Sequence, residues 1–107
     1  MAYTLSEVIE LQTGYKCFTT FIQDFDIAEK FGIDAIKDTY KRAFKEWKTN
    51  TKYLTELIMV LNWKLWYWFE QNEEIARVYQ ELWSEADIWA CNNLKDEDLQ
   101  YYIATTD

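Results

Sequence analysis

The chain contains no proline and only two glycines, Gly14 and Gly32, in 107 residues. Strand-rich folds of this length reverse direction often, and glycine and proline are the residues that let them do so. A chain without them is left with short polar breaks between helices. Apolar residues recur at helical spacing almost throughout. The expected fold is therefore all-α: a compact bundle of four to five helices in a single domain over residues 1–107, with a long antiparallel helical hairpin.

The helices are placed by their apolar stripes and caps. Thr4 with Glu7 fits a capping box before a short helix from Leu5 to Gln12, which carries Leu5, Val8 and Ile9 on one side and is closed by Gly14. Phe18, Phe21, Ile22 and Phe25 have helical spacing within Tyr15 to Phe25. Asp26 with Glu29 reads as a second cap pair, opening a short helix that Gly32 ends. Asp34 then caps a helix from Ala35 to about Lys48, whose inward face is Ile36, Tyr40, Ala43, Phe44 and Trp47. Thr49-Asn50-Thr51 breaks the pattern.

Two long helices follow. One runs from about Lys52 to Gln71 with Leu54, Leu57, Ile58, Leu61, Leu65 and Trp68 as its main stripe. Asn72 caps the other, Glu73 to Asn92, with Ile75, Tyr79, Leu82, Trp83, Ala86, Trp89 and Ala90 inward. Only Gln71 and Asn72 separate them, so they should pack as antiparallel neighbours. Asp96 starts a last short turn carrying Leu99 and Ile103.

Little in the chain suggests catalysis. Histidine is absent, which removes the usual general base and the commonest metal ligand. Cys17 and Cys91 do not make a zinc site alone, and Cys17 has no histidine to activate it. Both cysteines are expected as reduced, buried thiols of a cytoplasmic protein. Glu73-Glu74 and Asp96-Glu97-Asp98 sit at helix starts, where acids stabilise the helix dipole. No cofactor and no metal are expected. The N-terminus lacks the basic residues of a signal peptide, and the apolar run Leu57–Leu61 is far below the ~20 residues of a membrane span.

Charge is uneven: residues 37–64 hold three acids and seven bases, whereas residues 65–107 hold ten acids and two bases. Ile27–Ile33 has the Ala-then-Gly spacing of the first half of a helix-turn-helix. Lys37, Lys41, Lys45 and Lys48 line the helix after it. The apolar anchors of a recognition helix do not match, however, and the net charge of −8 opposes DNA binding. Asp38 and Arg42 form a local i,i+4 pair in the simpler reading.

The first long helix is the most informative stretch. Met59, Trp63 and Trp66, with Tyr67 beside them, make a second apolar stripe opposite the main one. A surface helix needs only one. Either this helix is central and covered on both sides, or the stripe is an exposed contact surface. The second long helix carries Glu74, Glu81 and Glu85 on one flank, and Asp96-Glu97-Asp98 follows. Such a surface is either simply solvated or presents carboxylates to a basic groove built for nucleic acid.

The blocks Leu11–Thr20, Ile27–Gly32 and Tyr53–Asn62, with Thr105-Thr106-Asp107, resemble a family of small acidic uncharacterised proteins of Gram-positive conjugative elements and prophages. The resemblance brings no functional residues. By analogy it implies an anti-defence role of the anti-CRISPR or anti-restriction kind. The expected function is thus non-catalytic binding of a host nucleic-acid-handling protein by Met59, Trp63, Trp66 and Tyr67 together with Glu74, Glu81, Glu85, Asp96, Glu97 and Asp98. The alternatives are a homodimer through the Trp patch and a small DNA-binding regulator.

Overall fold

The computed structural model describes residues 18–106. Five α-helices and no strands occur among them: α1 Phe18–Glu29, α2 Ile33–Trp47, α3 Thr51–Trp68, α4 Glu73–Asn93 and α5 Asp96–Thr106. The all-α bundle expected from the sequence is the fold. The Leu5–Gln12 helix, its Thr4–Glu7 box, Gly14 and Cys17 lie outside the described residues.

The long hairpin is α3 and α4, which make the most extensive helix contact in the bundle. Both start on an asparagine cap. The Asn50 side chain accepts the Tyr53 backbone N–H at 3.2 Å, and the Asn72 side chain accepts that of Ile75 at 3.2 Å. Each satisfies a donor that the first helical turn leaves open.

Helix α3 touches all four other described helices. Its main stripe is as expected, with Leu54, Leu57, Ile58 and Leu61 fully buried and Leu65 and Trp68 packed at the edge of the core. Tyr53, Thr55, Val60 and Lys64 are buried as well. Burial on more than one side makes α3 the central helix over most of its length.

Three boundaries differ from the sequence reading. Asp26 and Glu29 open no helix, because α1 runs unbroken from Phe18 to Glu29. Phe21, Phe25 and Ala28 share one stripe at i, i+4 and i+7 and are all buried, so packing carries the helix through Asp26. Asp34 is not the cap of α2 but lies in its first turn, behind Gly32. The last turn is a full helix, α5, which folds back onto α3 and α4 and buries Tyr102.

Gly32 closes α1 and opens α2. Its N–H donates to the Ala28 carbonyl at 3.2 Å, and its own carbonyl accepts the Ile36 N–H at 3.2 Å. Its φ of 112° and ψ of −176° lie in a region open essentially to glycine alone. A Cβ there would meet no atom within 4 Å, so the constraint is torsional and not one of space. Gly32→Ala should therefore cost about 1–3 kcal/mol in urea denaturation while leaving the helical circular-dichroism spectrum unchanged.

Candidate functional site

The C-terminal third of α3 departs from the rest of the helix. Trp63 is 45% exposed, Trp66 64%, Tyr67 48%, and Phe69, just past the helix end, 58%. Trp63 and Tyr67 are stacked, with ring centroids 5.6 Å apart, and Trp66 lies 5.5 Å from Phe69. Met59, one turn earlier on the same stripe, is half-buried beside Tyr102 and Thr106 of α5. The second stripe of α3 is thus covered at Met59 and open from Trp63 onward.

A buried charge lies under the open rings. The Lys64 side chain is 2% exposed and forms ion pairs with Asp26 and, at 3.1 Å, with Glu29. Its ammonium nitrogen is 5.7 Å from the Trp63 ring centroid and 5.6 Å from that of Tyr67, within cation–π range. Glu29 also accepts the Trp68 indole N–H at 2.8 Å and the Tyr79 hydroxyl at 2.6 Å. One carboxylate from α1 therefore takes donors from α3 and α4. Burial, then the hydrogen bond to Glu29, then the charges of Glu29 and Asp26 raise the Tyr79 hydroxyl pKa far above its ordinary value, so it stays a donor.

A second buried tyrosine ties α5 to α4: the Tyr102 hydroxyl donates to Asp87. Burial, the hydrogen bond and the charge of Asp87 hold Tyr102 protonated. Cys91, expected buried, is exposed and free, because it falls on the outer side of α4. Partial desolvation and Asp87 raise its thiol pKa. Among the described residues no cluster of three or more metal-ligating side chains assembles, and no helix is long and apolar enough to cross a membrane.

Glu74, Glu81 and Glu85 are all exposed on α4, and Asp96, Glu97 and Asp98 are exposed at the start of α5. They do not converge with the aromatic rings as one patch. Glu85 acts on buried Tyr40 of α2, whose hydroxyl is raised first by burial and then by that charge. One turn on, Phe44 meets Trp89 edge to face at 5.4 Å. These two contacts, each one turn apart and in the same order on both helices, set α2 and α4 parallel. Lys37, Lys41 and Lys45 are exposed and Lys48 is half-buried. Asp38 and Arg42 form the local pair, 3.7 Å apart. The acids placed beside the rings are Asp26 and Glu29, through Lys64, and Glu73, which lines a depression with Trp66 and Phe69.

The Lys64 node was not foreseen. Its residues lie on three helices, and helical spacing identifies faces within a helix without saying which charges meet across helices. The one available signal was Lys64 itself, a base at a position where the surrounding periodicity calls for burial. Comparison with protein-family models, curated proteins and solved structures finds no match.

Lys64→Met should destabilise the fold by about 3–5 kcal/mol, because it leaves the Glu29 carboxylate buried without its cation. The double variant Lys64→Met with Glu29→Gln should recover part of that loss. A double-mutant cycle measured by urea denaturation checks the coupling.

Proposed function

We propose that this chain is a non-catalytic binding protein that engages a basic, nucleic-acid-handling host protein through the aromatic end of α3. The observation that carries this reading is the contiguous exposure of Trp63, Trp66, Tyr67 and Phe69 on an otherwise buried central helix. Aromatic side chains left open on a rigid element are favoured anchors of protein interfaces. Their charged surroundings set the sign of the partner. Glu73, paired with Arg77, lies beside Trp66 and Phe69, and the chain as a whole carries −8. Such a surface attracts cationic protein and repels both nucleic acid and a second copy of itself.

Two contributions divide the work in this reading. The rings supply contact energy. Glu74, Glu81 and Glu85, with Asp96, Glu97 and Asp98, supply long-range attraction. Its range falls from about 10 Å at 0.1 M salt to about 3 Å at 1 M. A role in blocking host defence, as an accessory of a mobile element, rests on the resemblance of the Leu11–Thr20, Ile27–Gly32 and Tyr53–Asn62 blocks and on the fit between an acidic surface and a nucleic-acid groove.

The test is capture of partners by the tagged chain from a host extract, repeated with Trp63→Ala/Trp66→Ala and with Glu74→Gln/Glu81→Gln/Glu85→Gln. The aromatic double variant should lose the partner yet stay folded, with Trp63→Ala costing more stability than Trp66→Ala because its ring also faces the buried Lys64 ammonium. The neutralised variant should keep binding with a weaker salt dependence, and added DNA or RNA should compete. Undiminished capture by the folded aromatic variant would reject the reading.

A further inference from the structure

Helix α5 has a narrow seat. It packs on α3 and α4 and on no other described helix. Of its eleven residues Tyr102 alone is buried and Leu99 is half-buried, while Tyr101 and Ile103 stand 36% and 49% exposed. The polar contact that fastens it is the Tyr102 hydroxyl donating to Asp87 of α4. Packing beside that contact is incomplete. Met59 and Asn62 of α3, Trp83 and Asp87 of α4, and Tyr102 and Thr106 of α5 border a depression of about 200 Å³. A helix of this length is marginal in water by itself, so α5 is helical because it is docked.

The junction with α4 is strained. Asp96, the first residue of α5, has a φ of 52°, the one positive φ among the described residues besides that of Gly32. A residue with a Cβ adopts this left-handed conformation at a cost and keeps it where surrounding contacts impose it. The contacts that impose it here are those of α5 with the hairpin. Undocking would let Asp96 return to the ordinary backbone region, so the strain favours release. Position gives the release a consequence. Tyr102 and Thr106 lie beside Met59, the first member of the stripe whose later members Trp63 and Trp66 are open. Helix α5 therefore covers the upstream end of the exposed aromatic surface.

We propose that α5 is a detachable cover: it docks and undocks as one unit while α1–α4 stay folded, and its release adds Met59, with Trp83 beside it, to the open stripe of Trp63 and Trp66. The covering role rests on the reading of the chain as a binding protein, and the release itself does not. The rest of the bundle is held without α5. The Glu29 carboxylate joins α1, α3 and α4, and Phe21, Phe25, Ile36 and Tyr79 are fully buried with the leucine stripe of α3. A terminal element with one buried ring, set on such a core, opens at a lower free energy than the core unfolds. Docked, α5 shortens the contact surface by one turn of α3. A partner that takes Met59 together with the rings would compete with α5 for its seat.

Native-state hydrogen exchange of the whole chain in low urea tests the release. The amides of Gln100 to Thr106 should share one opening free energy and one urea dependence. Both should lie below those of Leu57 to Leu61 in α3, whose exchange follows global unfolding. Tyr102→Phe keeps the ring and removes the contact with Asp87. It should raise exchange of the α5 amides about tenfold and leave those of α3 unchanged. The same variant should speed oxidation of the Met59 sulfur by added peroxide, followed by peptide mass spectrometry. Opening free energies graded from Thr106 back to Gln100 would mean fraying from the end, and values equal to those of α3 would mean that α5 opens only with the whole bundle; either overturns the proposal. So would a Tyr102→Phe effect shared by α3 and α5, or unchanged oxidation of Met59. Capture of the host partner separates this proposal from the binding reading. Tyr102→Phe should capture more than the unaltered chain. If Trp63→Ala/Trp66→Ala loses the partner while Tyr102→Phe captures no more of it, the cover is excluded and the binding reading stands. Capture retained by the folded aromatic variant removes both.

Discussion

The contact on which the arrangement of the bundle turns is Glu29 with Lys64. A lysine 2% exposed on the central helix costs several kcal/mol in desolvation unless an anion meets it with good geometry. Glu29 meets it at the last residue of α1, so the end of α1 is held against α3. Because the same carboxylate takes Trp68 and Tyr79, the position of α4 is fixed at the same point. Phe25 packs edge to face on Tyr79 at 5.8 Å, which adds apolar contact beside the polar one. An apolar residue at position 64 would pack too, but it would not select one rotation of α1 against α3 in the way two carboxylates do.

The node also explains where the surface comes from. Lys64 turns inward, so its helical neighbours Trp63 and Tyr67 stand on either side of a charge that they cannot approach from within the core. They lie outside it with the ammonium behind their faces. Trp68 takes the one inward position left at the end of the helix and uses it to donate to Glu29. Phe69 and Trp66 then have no interior to enter, because the chain turns at once into α4. The exposure of four aromatics follows from how the last turn of α3 is anchored.

The helices themselves were legible because each has an apolar stripe of the right period and a polar break after it. The inward set of α2, with Ile36 and Tyr40 buried and Ala43, Phe44 and Trp47 packed against the core, is what the spacing of those residues implies. Asn72 reads as a cap and is one. Asp26 and Glu29 misled because their spacing is that of a capping pair, and local spacing does not register a lysine 35 residues further along the chain. The two stripes of α3 posed a choice between a central helix and an open surface, and the helix has both characters in succession. Spacing gave the stripe its members, but where the cover ends depends on the length and direction of α5, which were not readable from a final turn carrying Leu99 and Ile103.

The acidic flank of α4 shows how the same residues serve folding and surface at once. Glu85 is exposed yet acts on the seam between α2 and α4, which holds Phe44 against Trp89 and the buried hydroxyl of Tyr40, a group without a hydrogen-bond partner among the described residues. At the start of α4, Arg77 pairs with Glu73 one turn away. Beneath the open rings the buried Lys64 is likewise answered by Asp26 and Glu29, so the carboxylates placed at that end of the bundle hold the fold together.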